Sequence, residues 1–165
     1  MVERVPRRAG SPSAARAIAS SADGNKLASV LFGGQIYTSG DSGATWIARD
    51  SSRNWTDIAS SADGAVLVAT VDNTGAGGIY ISSDSGVTWA ATTAPNSGWK
   101  AVAMSSDGQK MVASTGSTIY TSTDGGANWI SRRSLPATTL ASSSDGRNLI
   151  AGMGGNVATE GVFTS

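Results

Sequence analysis

Short apolar segments alternate with turns rich in Ser, Asp and Gly along the chain. The stretch DIASSADGAVLVATV, which starts at Asp57, shows the unit: an apolar segment, a Ser-x-Asp-Gly turn and a second apolar segment. Asp-Gly between two apolar runs is a strong hairpin signal, because Gly accepts a positive φ and Asp can bond the turn's own backbone donors. Periodicity typical of an amphipathic helix is missing. The pattern therefore predicts an all-β protein.

The hairpin recurs with a regular period. Its aspartates are Asp23, Asp63, Asp107 and Asp145, at spacings of 40, 44 and 38 residues. In the second unit, strands are predicted over residues 58–60, 66–71 and 79–82, and a fourth is predicted to begin at Trp89. Four short strands per roughly 40 residues are typical of one β-propeller blade. A β-sandwich would not require a fixed period of four strands, so we predict a β-propeller of four-stranded antiparallel blades.

This period divides a single propeller module, residues 1–165, into about four blade equivalents. Three full repeats cover residues 16–54, 55–98 and 99–136, and a partial fourth repeat covers 137–165. The N-terminal segment, residues 1–15, is predicted to supply a fourth strand, because Arg7 and Arg8 are placed like Arg132 and Arg133. Offset ends of this kind allow a strand from one end to complete the blade begun at the other.

Two ways of closing the ring follow. The N-terminal strand can complete the same chain's fourth blade and give a self-closed monomer, or it can complete a neighbour's blade, so that two chains form one larger ring. A tight four-bladed ring needs small inner residues, which the chain supplies at Ala19, Ala59, Ala103 and Ala141. Since most propellers have more than four blades, a homo-oligomer is favoured.

A second repeated pattern, Ser-x-Asp-x-Gly-x-x-Trp, follows the third predicted strand of three units. Its carboxylate can accept hydrogen bonds from turn amides, its Gly takes a conformation closed to other residues, and its Trp anchors the returning strand. The residues are Asp41, Gly43 and Trp46, then Asp84, Gly86 and Trp89, then Asp124, Gly126 and Trp129. They closely resemble the Asp-box, or BNR repeat, of β-propeller blades in sialidases, sortilin-type receptors, xyloglucan-active hydrolases and a photosystem II assembly factor.

The resemblance implies a structural role for these boxes at the periphery of the blades, and it implies no particular activity. Calcium binding by the box carboxylates is the main alternative. The third box departs slightly from the other two, with Asn128 where they have Thr45 and Thr88.

Composition excludes several classes of function. Charged residues are only 15% and the signs cancel at 12 and 12, so nucleic acid and anionic membranes are not expected as partners. No apolar run is long enough for a membrane-spanning helix, and the first residues show no secretory signal. The chain contains no Cys and no His, which removes thiol nucleophiles, imidazole bases and the usual zinc ligands. We therefore expect no cofactor and no metal centre, and the cellular compartment stays undetermined.

Candidate ligand-binding residues lie on the loops that connect strands two and three and successive blades. They are Arg53, Asn54 and Trp55 before the second repeat's first strand, and Asn96, Trp99 and Lys100 before that of the third. Trp55 and Trp99 occupy matching positions, and an exposed Trp beside Asn and Lys could stack on a sugar ring or a protein side chain. The favoured alternative is that each indole caps the core between blades.

Catalysis is not expected. Glycoside hydrolysis needs two carboxyl groups at a controlled distance. Seven of the 12 acidic residues belong to the repeated turns, and no catalytic residue of the sialidase-like families can be carried over to a position in this chain. We predict a non-catalytic scaffold that binds a glycan or a protein through its loop face or channel, or a minimal or engineered repeat protein that assembles into a ring. The alternative is a remnant or small relative of a secreted, sialidase-like glycoside hydrolase.

Overall fold

The computed structural model describes residues 14–72, 77–153 and 161–164, the last range for its backbone only. Within these ranges the chain forms strands and turns without a helix, and no helix capable of crossing a membrane is found. The all-β prediction is confirmed. The strands are β1 Ala15–Ser20, β2 Leu27–Ser39, β3 Ile47–Ser60, β4 Leu67–Val71, β5 Ile79–Ser82, β6 Ala90–Ala91, β7 Ala101–Met104, β8 Met111–Ser114, β9 Thr118–Ser122, β10 Ile130–Ser134, β11 Ala137–Ser142, β12 Asn148–Met153 and β13 Gly161–Thr164.

The Ser-x-Asp-Gly sequence closes each inner hairpin through local hydrogen bonds. In the second repeat, Ser61 Oγ donates to Asp63 Oδ1 at 2.7 Å, and the N–H of Ala65 donates to the same oxygen at 2.9 Å. Gly64 follows with φ +65°, a conformation that costs glycine little. The turn is therefore specified by residues that are neighbours in sequence.

Successive hairpins build antiparallel blades. The second half of β3, then β4, β5 and β6, form the second blade, in which Ala59 pairs with Val68, Val68 with Ile81 and Ile81 with Ala90. Strands β7 to β10 form the third blade in the order β10-β9-β8-β7, and β11 to β13 form the fourth. The first blade contains β1, β2 and the first half of β3. Its second and third strands form one continuous element, β2, which bends at Gly33 (φ +71°).

The predicted strand bounds are close to those of the structure. The predicted strand 79–82 coincides with β5, whereas β4 begins one residue later than predicted. The outer strand β6 begins at Ala90, just after the predicted Trp89. The predicted N-terminal strand falls mostly on residues 1–13, which lie outside the described part of the chain.

The hydrophobic core lies between blades. The inner strands β1, β3, β7 and β11 contact one another in that order. Three clusters of buried residues join the first blade to the second, the second to the third and the third to the fourth. Among the described residues no such cluster joins the fourth blade to the first.

Candidate functional site

Each turn of the Ser-x-Asp-x-Gly-x-x-Trp pattern, called a box below, is held by its carboxylate. Asp84 Oδ1 accepts hydrogen bonds from Ser82 Oγ at 2.7 Å and from the N–H of Thr88 at 2.9 Å, and Oδ2 accepts one from Thr88 Oγ1 at 2.6 Å. These bonds stabilise the ionised form, Thr88 most strongly, and lower the pKa of Asp84 to about 2. In the third box Asn128 makes the equivalent bonds to Asp124, with Nδ2 donating to Oδ2 at 2.7 Å. Asn128 therefore donates the same two hydrogen bonds to the box carboxylate that Thr88 donates in the second box.

The box glycines of the second and third blades lie against the preceding blade. Gly86 has φ +85°, and its N–H donates to Ser82 Oγ at 2.8 Å. A Cβ at this position would lie 2.6 Å from Thr38 Cγ2 of the first blade, so only glycine fits there. Trp89 completes the turn by donating from Nε1 to the carbonyl of Gly86 at 3.1 Å. The box thus serves packing between blades as well as the turn itself.

Metal-ligating side chains do not gather within the described ranges, where no group of three or more acidic residues is close enough to hold an ion. The box carboxylates use both oxygens in hydrogen bonds to their own turns, as Asp41 does with Ser39 and Thr45.

The two tryptophans predicted as ligand-binding candidates are fully buried. The ring of Trp55 meets that of Tyr80 edge-on, with centroids 5.3 Å apart, and Trp99 meets Tyr120 in the same way at 5.1 Å. Trp99 Nε1 donates to the carbonyl of Pro95 at 3.2 Å. Neither indole has a face free for stacking on a ligand, so the structure places both in the alternative role, as core residues between blades.

The remaining candidates lie nearer the surface. The guanidinium of Arg53 lies over the ring of Tyr80, 4.5 Å from its centroid, and its Nε is 3.5 Å from an Asp50 carboxylate oxygen. Lys100 Nζ bonds Asp72 Oδ2 at 2.5 Å. Two further candidates, Asn54 and Asn96, are exposed. Ligand binding by these four residues stays a prediction.

Asp57, which leads into the second inner strand, is half-buried and makes a contact with the next blade that the sequence did not predict. Asp57 Oδ1 accepts a hydrogen bond from the N–H of Ile58 and Oδ2 one from the N–H of Val102, both at 2.9 Å. Burial raises the pKa of Asp57 in spite of these bonds. The equivalent residues of the other repeats are Ala17, Ala101 and Thr139, so only the second and third blades are joined in this way.

A ladder of backbone hydrogen bonds links the turns of neighbouring blades. Ala22 N–H donates to the carbonyl of Ala62, Ala62 N–H to that of Ser106, and Ser106 N–H to that of Ser144, each at 2.8 Å. All four are the second residue of a Ser-x-Asp-Gly turn. At the two ends of the ladder, the carbonyl of Ala22 and the N–H of Ser144 have no partner among the described residues.

The turn glycines also distinguish the first blade from the later blades. A Cβ on Gly64 would lie 2.8 Å from Lys26 Cδ of the preceding blade, and one on Gly146 would lie 2.8 Å from Lys110 Cβ. A Cβ on Gly24, in the first blade, would find nothing within 4 Å among the described residues. The first blade therefore exposes a surface that the later blades bury.

Exposed apolar side chains mark the same two surfaces. Ile18 is 74% exposed, although Ile58 at the equivalent position of the second repeat is 4% exposed. Ile150 is 48% exposed, although its equivalent in the third repeat, Val112, is 1% exposed. We call Ile18, Ala22 and Gly24 the first-blade face, and Ser144, Asn148 and Ile150 the fourth-blade face. The exposure of these two faces could not be predicted from the sequence, because the equivalent repeat positions carry similar side chains.

A cleft opens between the third and fourth blades. Its volume is about 560 Å³, whereas the equivalent cavity between the first two blades, which Ser85 and Val87 of the second box line, measures about 150 Å³. One wall carries Lys110, Arg132 and Arg133. Arg132 Nε donates to Thr121 Oγ1 at 2.6 Å and so is tied to the third strand of its own blade.

Comparison with known proteins shows the fold. No family model and no curated protein sequence matches the chain. A computationally designed protein, Ika4, superposes with a TM-score of 0.74 at 16% identity, over 99% of each chain. YCF48 bound to D1 peptide gives 0.66 at 16% identity, over 89% of this chain and 50% of that one.

Larger enzymes also share the architecture. The GH74 xyloglucanase from Xanthomonas campestris superposes with a TM-score of 0.66 at 17% identity, over 91% of this chain and 24% of the enzyme. This chain therefore spans about half of the YCF48 structure and a quarter of the xyloglucanase. These likenesses confirm the propeller architecture and extend no further than the fold.

Proposed function

We propose that this protein is a non-catalytic propeller scaffold of which two copies assemble into one eight-bladed ring. In this ring the fourth-blade face of each copy packs against the first-blade face of the other. The observation that carries the proposal is the exposure of Ile18 and Ile150, at repeat positions whose equivalents are buried between blades. Such a contact repeats the geometry already formed inside the chain, so it requires no new kind of interface.

The unfinished turn ladder supports the same arrangement. The N–H of Ser144 in one copy would donate to the carbonyl of Ala22 in the other, as Ser106 N–H does to Ser144 at 2.8 Å within the chain. Asn148 would meet Gly24 where Lys110 meets Gly146. Polar backbone groups and apolar side chains on the two faces are thus complementary to each other.

The number of copies follows from ring closure. A contact between two different faces forms a closed ring when the rotation between subunits closes. Propellers typically contain four to eight blades, so two four-bladed copies fit that range and three copies, with twelve blades, do not. A self-closed monomer would bury Ile18 against its own fourth blade, and here that side chain is exposed.

The mass in solution tests the proposal. Light scattering of the 165-residue chain should give twice the 16.5 kDa of one chain at micromolar concentration. Ile18→Asp should reduce the mass to that of one chain with an unchanged circular dichroism spectrum. Ile130→Asp, a matched change at an exposed isoleucine on the outer strand β10, should keep the double mass. A single-chain mass at every concentration, or a mass of three or more chains, would overturn the proposal.

As a scaffold, the ring would present its loop face, with Arg53, Asn54, Asn96 and Lys100, to a glycan or protein. The absence of catalysis is part of the proposal. Its support is that the three acids outside the repeated turns that the structure describes, Asp50, Asp57 and Asp72, each hold a partner within the chain. Release of reducing sugar from xyloglucan or sialyl oligosaccharides, at a rate that scales with protein concentration, would refute the non-catalytic role.

A further inference from the structure

The interface between the third and fourth blades has fewer aromatic side chains than the two interfaces before it. Between the first two blades, Trp55 packs against Trp89 of the second box with ring centroids 6.3 Å apart, and Trp99 packs against Trp129 at the same distance one interface later. Ala137 stands at the position of Trp55 and Trp99. No described residue of the fourth blade takes the place of Trp89 and Trp129. The cleft of about 560 Å³ opens at this interface.

The floor of the cleft is apolar. Val112 and Ile119 line it from the third blade, and Leu140, Leu149 and Ala151 line it from the fourth. Its volume lies within the range of ligand pockets, about 300 to 1,000 Å³. A rigid aromatic ring buries a large apolar area there and loses less conformational freedom than a flexible chain of similar size. The floor therefore favours an aromatic ligand.

One wall of the cleft is positively charged. It carries Lys110, Arg132 and Arg133, and none of the described residues that line the cleft is acidic. Lys110 Nζ donates to the carbonyl of Asp145 at 3.0 Å, and Arg132 Nε donates to Thr121 Oγ1 at 2.6 Å. Each bond holds its cation at the wall and uses one of the several N–H donors that an ammonium or a guanidinium has. The wall is thus complementary to an anion.

The other spaces between blades do not combine these two properties. Lys26 and Arg49 line the cavity between the first two blades, but its volume is about 150 Å³, and Lys26 Nζ bonds Ser85 Oγ of the second box at 3.1 Å. A space of about 420 Å³ lies between the second and third blades, and the described residues that line it carry no charge. Within the described ranges, room and positive charge meet only in the cleft between the third and fourth blades.

We propose that this cleft binds a small aromatic anion. The ring lies on the apolar floor, and the carboxylate or sulfonate group meets Arg132 and Lys110 at the charged wall. Arginine suits such a group because its guanidinium can donate two parallel hydrogen bonds to it. The site lies within one chain, so the inference does not depend on the two-copy ring.

Calorimetric titration with indole-3-acetate tests the inference on the wild-type chain. Binding should saturate at one ligand per chain and should weaken as salt is added. Neutral indole lacks the anion and octanoate lacks the ring, so each should bind about tenfold more weakly or worse. Absence of saturable binding, or an affinity for indole or octanoate equal to that for indole-3-acetate, would overturn the proposal.

Substitutions locate the site. Arg132→Gln should weaken the binding of indole-3-acetate about tenfold, because a charged hydrogen bond is lost. Arg49→Gln, the matched change in the first blade, should leave the affinity unchanged. Leu140→Trp places an indole on the floor of the cleft and should abolish binding with an unchanged circular dichroism spectrum. Wild-type affinity in Arg132→Gln, or an equal loss in Arg49→Gln, would show that the ligand binds elsewhere.

The separated copies distinguish this proposal from that of the ring. Ile18→Asp should bind indole-3-acetate with the wild-type affinity, since the cleft is formed by two blades of the same chain. Loss of binding in that variant would contradict a site within one chain. Binding by a wild-type chain that has the mass of one chain in solution would support the site and overturn the ring alone.

Discussion

Ile58 is buried between the first and second blades, whereas Ile18, at the same position of the preceding repeat, is exposed. The two residues have the same side chain, the same distance to their turn aspartates and the same place on an inner strand. They differ in whether a blade precedes them. Removing each side chain in turn therefore measures one packing contact inside the chain and one in the proposed contact between copies.

Ile58→Ala should lower the free energy of unfolding by about 2 to 5 kcal/mol, since a large aliphatic side chain is removed from a packed core. The loss should be the same at all protein concentrations. Ile18→Ala should lower the thermal midpoint only where the wild-type chain is assembled, so its effect should disappear on dilution. Denaturation curves of both variants at several concentrations make the comparison; equal, concentration-independent losses would contradict the difference assigned to the two sites.

Trp99→Ala should destabilise the protein by about 3 to 5 kcal/mol, because a fully buried indole that packs on Tyr120 is lost. Trp99→Phe should cost less, since it keeps an aromatic ring and loses only the hydrogen bond to the Pro95 carbonyl and part of the volume. Urea denaturation gives both values. A Trp99→Ala chain as stable as the wild type would show that the indole is not a core residue.

Asp84→Ala should lower the thermal midpoint, because the N–H and hydroxyl of Thr88 and the hydroxyl of Ser82 lose their common acceptor. Asp84→Asn keeps one acceptor oxygen and should have a smaller effect. The matched change Ser83→Ala, at an exposed neighbour, should leave the midpoint unchanged. An Asp84→Ala chain that melts at the wild-type temperature would contradict the structural role of the box.

Stability should fall at acidic pH through the box carboxylates. The pKa values of Asp41, Asp84 and Asp124 are lowered from 3.8 to about 2 by hydrogen bonds to their turns. A carboxyl whose pKa is lower in the folded state stabilises the fold above its unfolded value, and this contribution is lost as the pH falls from 3.8 towards 2. A triple Asp→Asn variant at these sites should have a flatter melting profile over that interval; an unchanged slope would contradict the link.

Asp57→Ala should cost about 1 to 3 kcal/mol, because the buried N–H of Val102 would be left without an acceptor. The control is Asp72→Ala, which breaks a partly exposed ion pair with Lys100 and should cost less than about 1 kcal/mol. Chemical denaturation at neutral pH measures both changes. If the two variants lost equal stability, Asp57 would not join the second and third blades as inferred.

The hydrogen bond that Asp57 accepts from Val102 shows where prediction from the sequence stopped. The turn at Asp63 was predictable because its donors lie within three residues of the carboxylate. The burial of Trp55 depends on contacts with the rings of Tyr80 and Trp89, which are brought next to it by the folding of the second blade. Asp57 accepts a hydrogen bond from the N–H of Val102 in the next blade, and no local sequence pattern predicts that contact.

Repetition of local signals was enough to specify strands, turns and blades, because hairpin hydrogen bonds and alternating apolar positions act over a few residues. The exposure of Ile18 and Ile150 could not be predicted from local signals, since their equivalents in neighbouring repeats carry similar side chains and are buried. Burial there depends on which blade lies alongside, and that is set by packing between segments about forty residues apart. The two free faces, and the ring they lead us to propose, therefore became visible only when the blades were placed side by side.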